Sequence, residues 1–105
     1  MTEKRIALTT AGSKEEAHKI ARTLVERHLA ACVNIVGPIE SVYHWHGKVE
    51  TSIEYQLLIK TMADALDAVQ KAVAEMHSYE LPEFVVLTVD AGSRKYLEWI
   101  EGCVR

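Results

Sequence analysis

The sequence contains no apolar run close to the ~20 residues that a membrane-spanning helix requires. Its two cysteines, Cys32 and Cys103, form no C-x-x-C or C-x-x-H pattern. That argues against a structural zinc site or a dithiol redox centre, and both thiols are expected to be reduced. There is no G-x-S-x-G elbow, no G-x-G-x-x-G turn and no Walker loop, so neither a local hydrolase nucleophile nor a nucleotide fingerprint is in view. No repeat, low-complexity tract or linker divides the chain, and residues 1–105 are expected to form one domain. An excess of charge of one sign is also lacking. A formal net charge of −3 gives no electrostatic ground for nucleic acid or an anionic membrane as partner. The start, Met1-Thr2-Glu3-Lys4-Arg5, runs straight into Ile6-Ala7-Leu8. It lacks the apolar h-region and cleavage site of a signal peptide, so the expected location is cytoplasmic.

What is present is a folding pattern. With 49% hydrophobic and 26% charged residues, the chain can build a core and is not disordered. Lys4 to Thr10 reads as a strand. Ser13 with Glu16 three residues on is a capping box, and the stripe Ala17, Ile20, Ala21, Leu24, Val25 follows as an amphipathic helix. Arg27 and His28 fall in its expected last turn, where cations are favoured. Cys32 to Ile35 is a strand, bent or bulged at Gly37-Pro38 because proline removes a ladder donor. Extended chain resumes through Ile39, Ser41, Tyr43 and Trp45, and Gly47-Lys48 makes a turn. Ile53, Tyr55, Leu57 and Ile59 then alternate with Glu54, Gln56 and Lys60, the period of a half-buried antiparallel strand. Thr61 with Asp64 gives a second capping box, before the helical stripe Leu66, Val69, Val73, Met76. Phe84 to Val89 is apolar on both faces, as a central strand should be. Ala91-Gly92-Ser93 leads into a last helix, Arg94 to Cys103.

The order βαββαβ plus a C-terminal helix predicts an α+β, ferredoxin-like fold with helices on one face of an antiparallel sheet. A strand of about 12 residues extends roughly 40 Å, while a domain of this length has a radius of gyration of only about 13 Å. The hairpin around Gly47 must therefore project, carrying Tyr43, Trp45 and Ile53. An aromatic ribbon with free edges invites pairing with another chain, so a homo-oligomer is expected.

The chemistry-bearing residues leave alternatives open. His44 and His46 share a strand face and could chelate an ion, but no third ligand is placed with them. Cys32 is either a small core residue or a thiolate ligand. His77 lies beside Tyr79, Glu80 and Glu83, and either binds a divalent ion or caps a helix end. Lys60 either meets an anionic ligand or is an edge-strand charge. No nucleophile is placed with a base, and paired carboxylates among Glu54, Glu80 and Glu83 reveal themselves only in space.

Ala31-Cys32-Val33-Asn34-Ile35, Ser41-Val42-Tyr43-His44-Trp45-His46-Gly47-Lys48-Val49-Glu50, Glu54 through Leu58-Ile59-Lys60-Thr61, His77-Ser78-Tyr79-Glu80-Leu81-Pro82-Glu83 and Tyr96-Leu97-Glu98-Trp99-Ile100, in that order, closely resemble the CutA family of divalent-cation tolerance proteins. The resemblance runs from about Ile6 to Arg105. It implies a homotrimer of ferredoxin-like subunits, similar to the PII signal proteins, that is not an enzyme. It also implies copper or another divalent metal ion as ligand, through His77, Cys32 and Met76. Thr9 and Met76 depart from the Cys and His of some family members. Met76 is a soft donor suited to Cu(I) rather than to hard ions. The resemblance further implies that Tyr43, Trp45, Glu54, Lys60, Tyr79 and Glu83 line an intersubunit cleft for a small polar ligand, or lock the trimer interface. A PII-like adaptor binding a small effector or partner protein is the alternative function.

Overall fold

The computed structural model describes residues 2–105; Met1, first in the segment read above for a leader, lies outside them. In chain order the elements are β1 (Lys4–Ala11), α1 (Lys14–Glu26), β2 (Cys32–Trp45), β3 (Lys48–Met62), a 3₁₀ turn (Ala63–Ala65), α2 (Leu66–Met76), β4 (Val85–Thr88) and α3 (Arg94–Cys103). The four strands form one antiparallel sheet in the order β2-β3-β1-β4. This is the expected α+β, ferredoxin-like arrangement.

The core lies between the sheet and the first two helices. Ala7 and Ala11 of β1, with Leu57 and Ile59 of β3, meet Ile20 and Leu24 of α1 and Val69 and Val73 of α2. Each fully buried Ile or Leu contributes roughly 1.5–3 kcal/mol. The small side chains of Ala7, Ala11, Ala17 and Ala21 let helix and sheet approach closely.

Local signals explain most boundaries. Ser13 caps α1, its Oγ accepting from the Glu16 N–H at 3.1 Å. The Glu16 carboxylate is spent elsewhere. Its Oε2 accepts from the Ser78 N–H at 2.9 Å and its Oε1 from the Ser78 hydroxyl at 3.1 Å, tying the start of α1 to the segment after α2. At the other end α1 stops at Glu26, so Arg27 and His28 are not in its last turn. His28 instead takes a left-handed conformation, φ 59°, in a Schellman close: its N–H reaches the Val25 carbonyl and the Leu29 N–H the Leu24 carbonyl. The His28 ring and carbonyl then hold the chain terminus, meeting the Cys103 carbonyl and the Arg105 N–H.

Two further expectations are corrected. Thr61 does not cap a helix, because β3 runs on to Met62 and pairs Thr61 with Arg5. Its buried hydroxyl donates to the Leu29 carbonyl at 2.7 Å. The apolar Val85–Thr88 segment is an edge strand, not a central one, and all four of its residues are exposed.

β2 and β3, of 14 and 15 residues, form the expected long hairpin and stretch the molecule to 44 × 25 × 23 Å. The ladder shifts register between Val36 and Ile39, so the bulge falls where Gly37-Pro38 predicts it. A Cβ on Gly37 would run into the Tyr55 ring, which explains why that position carries no side chain. The reversal is made by His46 and Gly47, one residue earlier than expected. Both have positive φ, as a two-residue type I′ hairpin requires.

Candidate functional site: a groove beneath the hairpin

The face of the sheet turned away from α1 and α2 carries Thr10 on β1 and Glu54 on β3, in alternation with the core-facing Ala11, Leu57 and Ile59. The segment from His77 to Val85 crosses the end of β1 and comes down beside these residues. Together with Tyr43 and Trp45 of the hairpin it encloses a groove of about 890 Å³.

Three contacts fix the crossing segment. Tyr79 N–H donates to His77 Nδ1 at 3.1 Å, which puts the ring proton on Nε2, and Nε2 donates to the Thr10 carbonyl at 2.6 Å. The Tyr79 ring stacks at 4.7 Å on that of His77 and lies against Gly12, where an added Cβ would be 3.0 Å from the phenol oxygen. The Tyr79 hydroxyl donates to Glu54 Oε2 at 2.8 Å. Glu54 is only 7% exposed, rare for a carboxylate unless it is partnered. Burial, and then the neighbouring Glu54, push the Tyr79 phenol well above its ordinary pKa, so it remains a hydrogen-bond donor. Gln56 bridges the rest, donating to the Thr9 carbonyl at 2.8 Å and to Glu83 Oε2 at 3.3 Å. Tyr43 is held by a 2.9 Å hydrogen bond to the Ser52 hydroxyl.

Of the residues singled out in the sequence, Tyr43, Trp45, Glu54, Tyr79 and Glu83 are brought together here. Lys60 is not. It stands about 20 Å further along β3, with its Nζ 3.2 Å from the Tyr96 hydroxyl and above that ring. Thr10, Ser41 and Phe84 also line the groove, although the sequence marks none of them as a site residue. Thr10 and Ser41 carry no local signal, and Phe84 reads as core.

The trio His77, Cys32 and Met76 does not converge within one chain. Both nitrogens of His77 are engaged by backbone groups, leaving no lone pair for a metal. Met76 packs against the hydrophobic core. Cys32 pairs with Lys60 while Thr10, which holds His77, pairs with Gln56. That places Cys32 about 13 Å away along the sheet, and two strands across. Among the described residues no group of three or more His, Cys, Asp or Glu is arranged to hold a metal ion. No described helix is long and apolar enough to cross a membrane.

A ferredoxin-like domain with one sheet face and both sheet edges left open, and a groove beneath a projecting hairpin, defines a class of small α+β proteins. Within it the match is specific: residues 5–103 fit the family model of the CutA1 divalent ion tolerance protein, and this chain belongs to that family. It is 43% identical over 100 residues to the chloroplastic protein CutA 1 of Oryza sativa subsp. japonica, covering 95% of this chain and 56% of that one. It is likewise 43% identical over 95 residues to the divalent-cation tolerance protein CutA of Thermus thermophilus, covering 90% of this chain and 92% of the relative. The crystal structure of CutA from Xylella fastidiosa superposes with a TM-score of 0.96 at 36% identity, over 99% of this chain and 100% of that one. The chain thus spans little more than half of the plant relative and nearly all of the bacterial ones.

Proposed function

We propose that this chain serves divalent-cation tolerance as a non-enzymatic, cytoplasmic homotrimer resembling the PII signal proteins. In this reading the groove lies at a subunit boundary and holds a small effector that governs contact with a partner protein.

The observation that carries the proposal is β4. Its Val85, Val86 and Leu87 are exposed at the sheet edge, although the sequence there is that of a central strand. A strand from another subunit laid along this edge gives those residues the covered environment that their composition fits. The hairpin has the reach to provide it, and it presents further bare apolar surface at Val42, Val49, Ile53 and Trp45. Among single chains, apolar surface this continuous marks an interface.

The test is sedimentation equilibrium and native mass spectrometry of the purified protein. A trimer is expected, and Leu87→Lys on β4 or Trp45→Ala on the hairpin shifts it towards monomer. Truncating an aromatic anchor costs ~3–5 kcal/mol. A wild-type monomer at micromolar concentration sinks the proposal.

A second reading, direct binding of copper or another divalent ion as cargo, is favoured by Cys32. Its thiol sits partly exposed on the edge strand β2, with only a weak 3.9 Å contact to Asn34 Oδ1. A soft thiolate suits Cu(I), and its remaining ligands would come from a neighbouring subunit. Copper uptake seen in native mass spectra, lost in Cys32→Ser and retained in His77→Ala, supports it. The absence of saturable uptake by the wild type removes it.

A further inference from the structure

We propose that the ligand of the groove is a small organic cation, an amine or guanidinium carried on an apolar body. This rests on the effector reading above and adds the chemical class that the reading leaves open.

The groove is lined by Glu54, Glu80 and Glu83, and among its described lining residues there is no Lys, Arg or His. Glu54 is the decisive group. It is more than nine-tenths withdrawn from water, yet only one of its oxygens is committed, Oε2 to the Tyr79 hydroxyl. Among the described residues Oε1 receives no donor, and it is not a sealed-off buried atom, so it opens into the groove. A carboxylate taken out of water and left half-partnered is completed most favourably by a charged N–H donor. Tyr79 cannot be that cation, since it is a neutral phenol whose one proton is already given.

The remaining walls match the rest of such a ligand. Tyr43, Trp45, Tyr79 and Phe84 offer aromatic surface, which attracts ammonium and guanidinium groups and shelters an apolar body. A volume of about 890 Å³ accommodates a molecule far larger than a metal ion. A bare inorganic cation fits poorly for a second reason: the acidic side chains here do not converge as a ligand set. An anionic effector would face three carboxylates with no counter-charge among the described lining residues, which repels it.

The experiment is isothermal titration of the assembled protein with a matched series: phenethylamine and agmatine as cations, phenethyl alcohol as the neutral shape mimic, 3-phenylpropionate as the anion. Saturable binding of the cations is expected, with affinity for phenethylamine about tenfold or more above the alcohol, as a charged hydrogen bond supplies. Glu54→Gln still accepts from Tyr79 but carries no charge, and it should erase that preference. Equal or tighter binding of 3-phenylpropionate overturns the proposal and leaves the effector reading standing. If no probe binds to an intact assembly, the effector reading falls with it. If no probe binds and Glu54→Gln breaks up the assembly, a basic side chain of a neighbouring subunit fills the groove, and the small-ligand proposal is wrong.

Discussion

Tyr79 and Glu54 lie 25 positions apart in sequence and are joined by a 2.8 Å hydrogen bond at the floor of the groove. The phenol is held above its ordinary pKa, chiefly by burial and then by Glu54. A group with a raised folded-state pKa contributes stability that is complete below the unfolded value, near 10, and is lost as pH climbs towards the folded one. The protein is therefore expected to weaken in alkali above about pH 10. In Tyr79→Phe that weakening should be shallower by close to one proton, on a baseline about 1.5–3 kcal/mol less stable at neutral pH. Urea melts across pH 9 to 12 check both. A spectrophotometric phenol titration in which every tyrosine ionises at its ordinary pH contradicts the assignment.

His77 acts as a strut between backbone segments. Its ring joins the Thr10 carbonyl to the Tyr79 N–H, and removing it leaves both without their partner. His77→Ala is expected to cost roughly 1–3 kcal/mol in thermal unfolding and to loosen the crossing segment. Amide exchange at Tyr79 should speed up in the variant. Unchanged exchange there would mean the strut is not bearing on the segment.

Thr9 presents the opposite case, a hydroxyl with nothing to bond. It is fully buried among the core-facing positions of β1, and its Oγ1 lacks a partner among the described residues. Valine has nearly the same shape without the polar atom. Thr9→Val is expected to raise stability by about 1 kcal/mol, and Thr9→Ser to lower it by opening a small void while keeping the orphan oxygen. Differential scanning calorimetry of the pair decides, and a destabilised valine variant would show that the hydroxyl is satisfied.

Gly37 tests the bulge. Since a methyl group there meets the Tyr55 ring, Gly37→Ala should destabilise by roughly 1–3 kcal/mol, the cost of overpacking. Gly37→Ala combined with Tyr55→Leu should recover part of the loss. No recovery in the double variant would place the strain in the backbone instead.

Much of the framework was legible because its signals are local. Ser13 and Glu16, the alternation of Leu57 and Ile59, and the break at Gly37-Pro38 each lie within a few residues of what they determine. The errors share a different cause. Thr61 with Asp64 looks like a cap at close range, but strand pairing with Arg5, far off in sequence, keeps Thr61 in the sheet. His28 looks like a dipole-favoured cation, yet the returning chain terminus meets it past the end of α1. The site was legible only in part, and through resemblance. Glu54 sits on the polar side of an alternating strand, and nothing within ten residues announces that Tyr79 will come across β1 to cover it. Phe84 to Val89 was read correctly as chemistry and wrongly as place, because a single chain does not fill both sides of the edge it forms.

That unfilled edge bears on how the molecule comes into being. A chain fresh from synthesis carries a four-residue, mostly apolar template with its backbone donors and acceptors on offer, and a second template along the outer side of β2. Its fate turns on which strand it meets first. In the proposed assembly, encounters between identical chains close the edge, while encounters with unrelated unfolded chains seed precipitation. Because the closing step involves more than one molecule, its speed rises with the amount of protein present, and dilution favours the bare form. On the proposed assembly, the bare edge is therefore longest-lived when the protein is scarce.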